Sequence, residues 1–184
     1  MKSWMIPAIL VALFGLFATG CGKKDEAAKT DETAADSAVV ETHEGVEWFD
    51  YETGMAKAAE EGKYVVIDFW TSWCHWCKVL DEKTYSQEIV RQRLADSFVA
   101  IKVNAESPEP QGSGEDAAPG TQLARMYGVN SYPTTWFVDP SGQPISPLPG
   151  FLEAPQFARV LDYVSTGAYK TQDFQKYMEA GEEG

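Results

Sequence analysis

The sequence predicts an α/β fold, a three-layer α/β/α sandwich with a mixed β-sheet whose elements run in the order βαβαββα. Three observations predict it. Runs rich in β-branched and aromatic residues at 64–70 and 98–103 are separated by about 27 residues of mostly helical character, so they form a βαβ unit with parallel strands. Two further runs, 134–138 and 144–149, flank Asp139-Pro140-Ser141-Gly142, whose residue types suit a type I turn, so this pair forms a hairpin. The chain then closes on an amphipathic stretch in which Phe157, Val160, Leu161 and Val164 follow the i, i+3, i+4, i+7 spacing of a core-packed helix.

Each element carries its own signal. Residues 51–61 are Ala-rich and end at Gly62, which fits the left-handed position after a helix, and a strand follows. That strand, Tyr64-Val65-Val66-Ile67-Asp68-Phe69-Trp70, is apolar on both faces, as a strand buried between two layers must be. Helical character spans 74–94, and 98–103 forms the second strand. Leu123, Met126 and Tyr127 fall on one helix face just before a capping Gly128. Pro144 to Pro149 reads as an edge strand, because proline cannot donate to a ladder. Pro155 near the start of the last helix and Gly167 past its end complete the punctuation.

Domain organisation is legible from composition. Lys2 is followed by an apolar run that ends in Ala18-Thr19-Gly20 before Cys21, so residues 1–20 read as an export signal. The run Phe17-Ala18-Thr19-Gly20-Cys21 resembles the bacterial lipoprotein signal, which implies that Cys21 is lipidated and becomes the mature N-terminus. Gly22 in the next position resembles the sorting pattern for the outer membrane of a Gram-negative cell. Residues 21–44, mostly Ala, Thr, Asp, Glu and Lys without an aromatic side chain, read as a disordered acidic tether. One folded domain follows over 45–170, and 171–184 read as an acidic C-terminal tail.

Lys and Arg number 15 against 28 Asp and Glu, a formal charge of −13, an acid excess that repels phosphates, so nucleic acid drops out as a default partner. With Cys21 acylated, the other two of the three cysteines, Cys74 and Cys77, form an even pair suited to an oxidising compartment.

The chemistry concentrates in Asp68-Phe69-Trp70-Thr71-Ser72-Trp73-Cys74-His75-Trp76-Cys77-Lys78, where a strand runs into a helix opening with C-x-x-C. Cysteines three apart on a helix share a face at a spacing that suits a disulfide. The unpaired N–H groups of the helix start favour a thiolate at Cys74, and a charged His75 would add to this. Cys77, one turn deeper, is expected to be the less exposed, resolving partner. Asp68, near the end of an apolar strand, is a candidate proton acceptor, because burial raises a carboxyl's proton affinity toward neutrality.

These residues resemble the active-site segment of thioredoxin, with Asp-Phe-Trp and Trp-Cys-x-x-Cys-Lys at the same spacing, over roughly residues 46 to 166. The resemblance implies a thioredoxin-like fold in which Asp68 is the buried acid, Trp70 and Trp73 the aromatic scaffold, Cys74 the nucleophile, Cys77 the resolving cysteine and Lys78 the lysine that follows it. Tyr132-Pro133-Thr134 resembles the loop carrying that family's cis-proline, which faces the disulfide and pairs backbone with substrate. His75-Trp76 replaces Gly-Pro between the cysteines, so thioredoxin's redox potential does not carry over. Tethered export together with Thr84-Tyr85-Ser86 looks closer to the C-terminal domain of the transmembrane reductase DsbD and its periplasmic relatives.

What the resemblance implies is a membrane-anchored, periplasmic thiol:disulfide oxidoreductase that reduces disulfides of exported proteins. It needs no cofactor beyond its own Cys74/Cys77 disulfide and draws electrons from a DsbD-like membrane donor. Trp73 and Trp76 flank the reactive sulfur as an apolar docking surface, while Trp48, Phe69 and Trp136 read as core or rim aromatics. A disulfide donor or isomerase uses the same constellation, and a copper-binding or adaptor module of the same fold is the rival class. The Pro/Gly/acidic stretch 105–120 reads as a solvated insertion.

Overall fold

The structure, a computed structural model, describes residues 39–43, 45–114 and 117–181; the export signal expected at 1–20, Cys21 and the expected tether as far as residue 38 lie outside the described residues. Strands β1 (Val39–His43) and β2 (Val46–Phe49) pair antiparallel around Gly45, whose φ of +81° suits glycine. Helix α1 (Tyr51–Glu61) leads into β3 (Tyr64–Trp70), which runs into α2 (His75–Leu80), a π-helical turn (Asp81–Tyr85) and α3 (Glu88–Ser97). Then come β4 (Phe98–Asn104), α4 (Gly120–Met126), β5 (Thr134–Val138), β6 (Pro144–Pro149) and α5 (Ala154–Ser165). A 3₁₀ turn (Ala168–Lys170) and α6 (Phe174–Glu179) follow.

The six strands form one mixed sheet in the order β1-β2-β4-β3-β5-β6. β4 is parallel to both β2 and β3, and β5 is antiparallel to β3 and β6. Alternation along β3 and β4 sends Val66 and Ala100 to one face and Val65, Ile67, Phe69, Val99, Ile101 and Val103 to the other. The first face packs on Leu80, Tyr85, Val90 and Leu94 from the α2–α3 segment and on Phe157, Leu161 and Val164 from α5. The second packs on Ala58 of α1 and Leu123 of α4. This is the expected three-layer sandwich, with each large apolar side chain so buried worth about 1.5–3 kcal/mol.

The expected strands at 64–70, 134–138 and 144–149 appear at those bounds, and 98–103 gains Asn104. The hairpin turn is held by Asp139, whose carbonyl accepts from Gly142 and whose carboxylate accepts from the Ser141 and Gln143 amides. Gly62 and Gly128 take the left-handed conformation expected of caps. Leu123 of the α4 stripe is buried, but Met126 is exposed, so that face is narrower than its spacing implies.

Two boundaries move. The tether reading of 21–44 does not hold at its end, since Val39–His43 is a strand; pairing with β2 satisfies its backbone groups without requiring a long apolar run. The tail reading of 171–184 is overtaken by α6, which Asp173 caps by accepting from the Lys176 amide. Phe174 and Tyr177, one turn apart, pack their rings on Tyr163 of α5, which is what holds this segment down.

The β6 edge carries Pro144, Pro147 and Pro149. Gly150 donates inward to the Pro133 carbonyl at 2.9 Å, so alternation turns positions 149 and 147 outward. Proline there removes donors from the open edge at no cost to the β5–β6 ladder.

Candidate active site

Strand β3 ends at Trp70, and the turn that follows is closed by the Cys74 amide donating to the Thr71 carbonyl at 3.1 Å. Cys74 occupies the cap position of α2 with extended backbone, and its Sγ accepts from the Cys77 amide at 3.0 Å. The two cysteines are joined, with S–S 2.07 Å and Cα–Cα 5.3 Å. An N–H aimed at Cys74 Sγ stabilises negative charge on that sulfur when the bond is reduced.

Exposure does not separate the two sulfurs as the sequence suggests: Cys74 is 4% and Cys77 3% exposed. The flanking Trp73 and Trp76 stand out into solvent while Cys74 itself is buried, which a helical-spacing argument does not anticipate. What distinguishes Cys74 is its capping position and the amide donated to it.

Asp68 lies on the sheet face that carries Val66 and Ala100, the face on which the α2–α3 segment packs, in register with Lys102 on β4 and Thr135 on β5. It is 1% exposed. Burial, partly offset by the Lys102 ammonium 3.3 Å away and reinforced by the Asp81 carboxylate, leaves its carboxyl pushed up to about 6. Its Oδ1 has no hydrogen-bond partner among the described residues. Lys102 also binds Asp81 at 2.5 Å and lies over the rings of Trp48 and Tyr85. Burial works against the ammonium, but the two carboxylates outweigh it and hold its pKa above the ordinary lysine value. Tyr85, fully buried and linked to Thr135 at 3.3 Å, is pushed far up by burial and then by Asp68, so it stays a neutral phenol.

The other predicted residues divide by role. Trp73 and Trp76 are 66% and 55% exposed; His75 and Lys78 are exposed on α2, with the His75 ring against Trp76. The Tyr132–Pro133 peptide is cis, as the resemblance implies, and the Tyr132 ring meets Trp73 edge-on at 6.0 Å. Burial and the nearby Glu106 carboxylate push the Tyr132 phenol up. Trp48 and Phe69 are core residues as expected, and Trp136 is half-buried.

Sequence reasoning missed four participants. Lys102 is the only charge in an otherwise apolar strand and could have been picked out on that ground. Asp81 stands seven residues, two helical turns, after Cys74, which places it on the same side of the helical segment. Glu106, which accepts from the Trp73 indole at 2.9 Å, and Phe151, whose ring lies 5.7 Å from that of Trp76, carry no local signal.

The described part of the 105–120 insert is anchored at several points. Ala105 donates to the Trp70 carbonyl, Thr121 to Ser107, and Gln111 to Ala118. Glu52, in the first turn of α1, donates its amide to Gln111 and accepts from the Gly114 amide at 2.6 Å. Gly120 sits so close to the end of β4 that an added Cβ would stand 2.0 Å from the Asn104 carbonyl oxygen.

Among the described residues, no group of three or more His, Cys, Asp or Glu side chains is placed to hold a metal ion, and no helix is long and apolar enough to cross a membrane. A strand-to-helix dithiol can take up and release two electrons, and a buried carboxyl with raised proton affinity can exchange the accompanying protons.

Comparison with known proteins points the same way. Residues 51–165 match the family model of a thioredoxin-like domain. The thiol:disulfide interchange protein DsbD of Actinobacillus pleuropneumoniae serotype 5b (strain L20) is 32% identical over 106 residues, which are 56% of this chain and 17% of that protein. The chain therefore matches less than a fifth of that relative's length. A thioredoxin from Thermus thermophilus superposes with a TM-score of 0.56 at 26% identity, covering 65% of this chain and 86% of that one. A putative disulphide-isomerase from Bacteroides thetaiotaomicron does so at 0.51 and 27%, covering 70% and 94%.

Proposed function

The chain belongs to the thioredoxin-like domain family, and from that premise we propose that it is a membrane-anchored, extracytoplasmic thiol:disulfide oxidoreductase that reduces disulfides of exported proteins. The observation that carries the proposal is the Cys74–Cys77 bond at the start of α2, with the Cys77 amide donated to Cys74 Sγ and Asp68 buried with a carboxyl that titrates near 6. The likeness to DsbD supports the interchange chemistry and the extracytoplasmic setting. The C-x-x-C spacing and the Cys21 signal support the redox pair and the lipid anchor.

In the reductive direction the Cys74 thiolate attacks one sulfur of the partner's disulfide. That S–S bond breaks, a Cys74–partner disulfide forms, and the other partner sulfur leaves as a thiolate that takes up a proton. Cys77 then gives its proton to the Asp68 carboxylate and attacks Cys74 Sγ, which closes the Cys74–Cys77 bond and releases the second partner sulfur as a thiolate that takes up a proton. Two electrons have passed from the chain's dithiol to the partner. A dithiol donor, in our reading a DsbD-like membrane electron conductor, restores them. Lys102 and Asp81 set the proton affinity of Asp68, and the Tyr132–Pro133 loop lies on the substrate side.

Turnover of a disulfide-bonded protein with a dithiol as reductant tests the reading. Wild type should accelerate it, Cys74→Ser should not, and Cys77→Ala should accumulate covalent adducts with exported proteins that a reductant releases. Wild-type rates in Cys74→Ser, or no adducts in Cys77→Ala, would remove the assigned roles. Cys21→Ala should free the chain from the membrane fraction; continued attachment would exclude the lipid anchor at Cys21.

A further inference from the structure

Cys74 is 4% exposed and lies in sequence between two exposed tryptophans, Trp73 at 66% and Trp76 at 55%, which flank the entrance to the disulfide. The two walls of that entrance differ. Trp76 leans on Phe151 with ring centroids 5.7 Å apart, an apolar wall. Trp73 leans edge-on against Tyr132 and donates its indole N–H to Glu106 at 2.9 Å, so this wall ends in an exposed carboxylate. A carboxylate offers about four acceptor sites, and the indole uses one. Trp73 is 66% exposed, so most of its ring is open to solvent beside that acid. An exposed indole face next to a carboxylate fits a guanidinium or ammonium group, which stacks on the ring and bonds the acid together. Lys78, the cation nearest the disulfide in sequence, belongs to α2 and not to the loop that carries Glu106.

We propose that this rim selects the substrate: an extended polypeptide whose reactive cysteine has a lysine or arginine on the side that lies against Trp73 and Glu106, and an apolar residue on the side that lies against Trp76 and Phe151. The inference rests on the oxidoreductase reading and adds the sequence context of its substrate. Continuity with the redox pair argues for a polypeptide bearing a disulfide as the occupant, and the carboxylate argues for a basic flank. The 105–120 insert thereby acquires a role, since its first turn, which carries Glu106 and is fixed through Ala105 to Trp70 and through Ser107 to Thr121, holds the acid at the entrance. Glu106 is thus a specificity-determining residue.

The test uses unstructured peptides with a single cysteine in a mixed disulfide, identical except for Arg or Glu next to the cysteine, placed on one side or the other. With the full chain, kcat/KM should favour Arg over Glu about three- to tenfold near physiological salt, on one side of the cysteine only, as one exposed ion pair with a cation–π contact supplies. Glu106→Gln keeps an acceptor for the Trp73 indole but removes the charge, and should bring the Arg:Glu ratio to within about twofold. Glu60→Gln, an equal change in net charge on the exposed face of α1, should leave the ratio as in wild type. A wild-type ratio in Glu106→Gln, an equal fall in Glu60→Gln, or the same preference on both sides of the cysteine would overturn the proposal. Wild-type chain that turns over neither these peptides nor a small neutral disulfide would overturn the oxidoreductase reading itself, a result distinct from turnover without selectivity.

Discussion

The ammonium of Lys102 stands 3.3 Å from the carboxyl of Asp68, within ion-pair range, and still the Asp68 proton is held up to about pH 6. Desolvation wins because Lys102 is shared: its shorter bond, at 2.5 Å, goes to Asp81, whose own charge adds to the repulsion at Asp68. The result is a group that is partly ionised near neutrality and can both give and take a proton without large cost.

Replacing Asp68 by Asn should stabilise the oxidised protein at neutral pH. The folded carboxyl binds its proton more tightly than the unfolded one, whose ordinary value is 3.8, so its stabilising contribution is complete below about 3.8 and is lost as pH rises through about 6. Asn carries no such loss, and the gain at pH 7.5 is at most about 3 kcal/mol from two units of raised affinity. Denaturant unfolding at pH 4 and 7.5 checks it; a variant less stable than wild type at pH 7.5 would contradict the assignment. The same variant should slow closure of the Cys74–Cys77 bond more than the first attack, read by single-turnover kinetics.

Two neighbours should move the Asp68 titration in opposite directions. Lys102→Met removes the charge that favours the carboxylate and should shift the midpoint above 6, whereas Asp81→Asn removes a repelling charge and should shift it below 6. Carboxyl-carbon NMR of Asp68 against pH reads both. Shifts of the same sign would mean that packing changes, rather than charge, dominate at this site.

The reduction potential of the Cys74/Cys77 pair fixes the direction of electron flow. A reductase should show a value near that of thioredoxin, about −270 mV, in a glutathione or dithiothreitol buffer. A value near about −120 mV, as for DsbA, would make the chain a disulfide donor and reverse the proposed direction while leaving the site residues in place.

Gly120→Ala should destabilise the fold by about 1–3 kcal/mol, although alanine is the better helix former. The added Cβ would come within 2.0 Å of the Asn104 carbonyl oxygen, and backbone at the end of a central strand does not give way. Thermal unfolding measures it, and an unchanged midpoint would show that the α4 start can back away from β4.

The strands of the sandwich and the redox pair were legible because their signals are local. Val65, Ile67 and Phe69 bury one face of β3, the Asp139 turn closes the β5–β6 hairpin, and Cys74 and Cys77 sit at a spacing that a helix brings together. What escaped depends on partners remote in sequence. β1 is a strand because β2 is there to pair with it, and α6 packs because Tyr163 offers its ring. The Asp68–Lys102–Asp81 group joins three elements, and the burial of Cys74 to the same degree as Cys77 does not follow from its position at the start of the helix.

The prolines of β6 have a consequence for how copies of this chain meet one another. A sheet whose open border offers N–H groups is a template on which another chain can lay a strand, the first step toward fibrils. With Pro147 and Pro149 in the outward positions, a neighbouring copy finds too few donors to register against, so growth cannot start from that side. Copies at high local concentration can then collide through this border without polymerising.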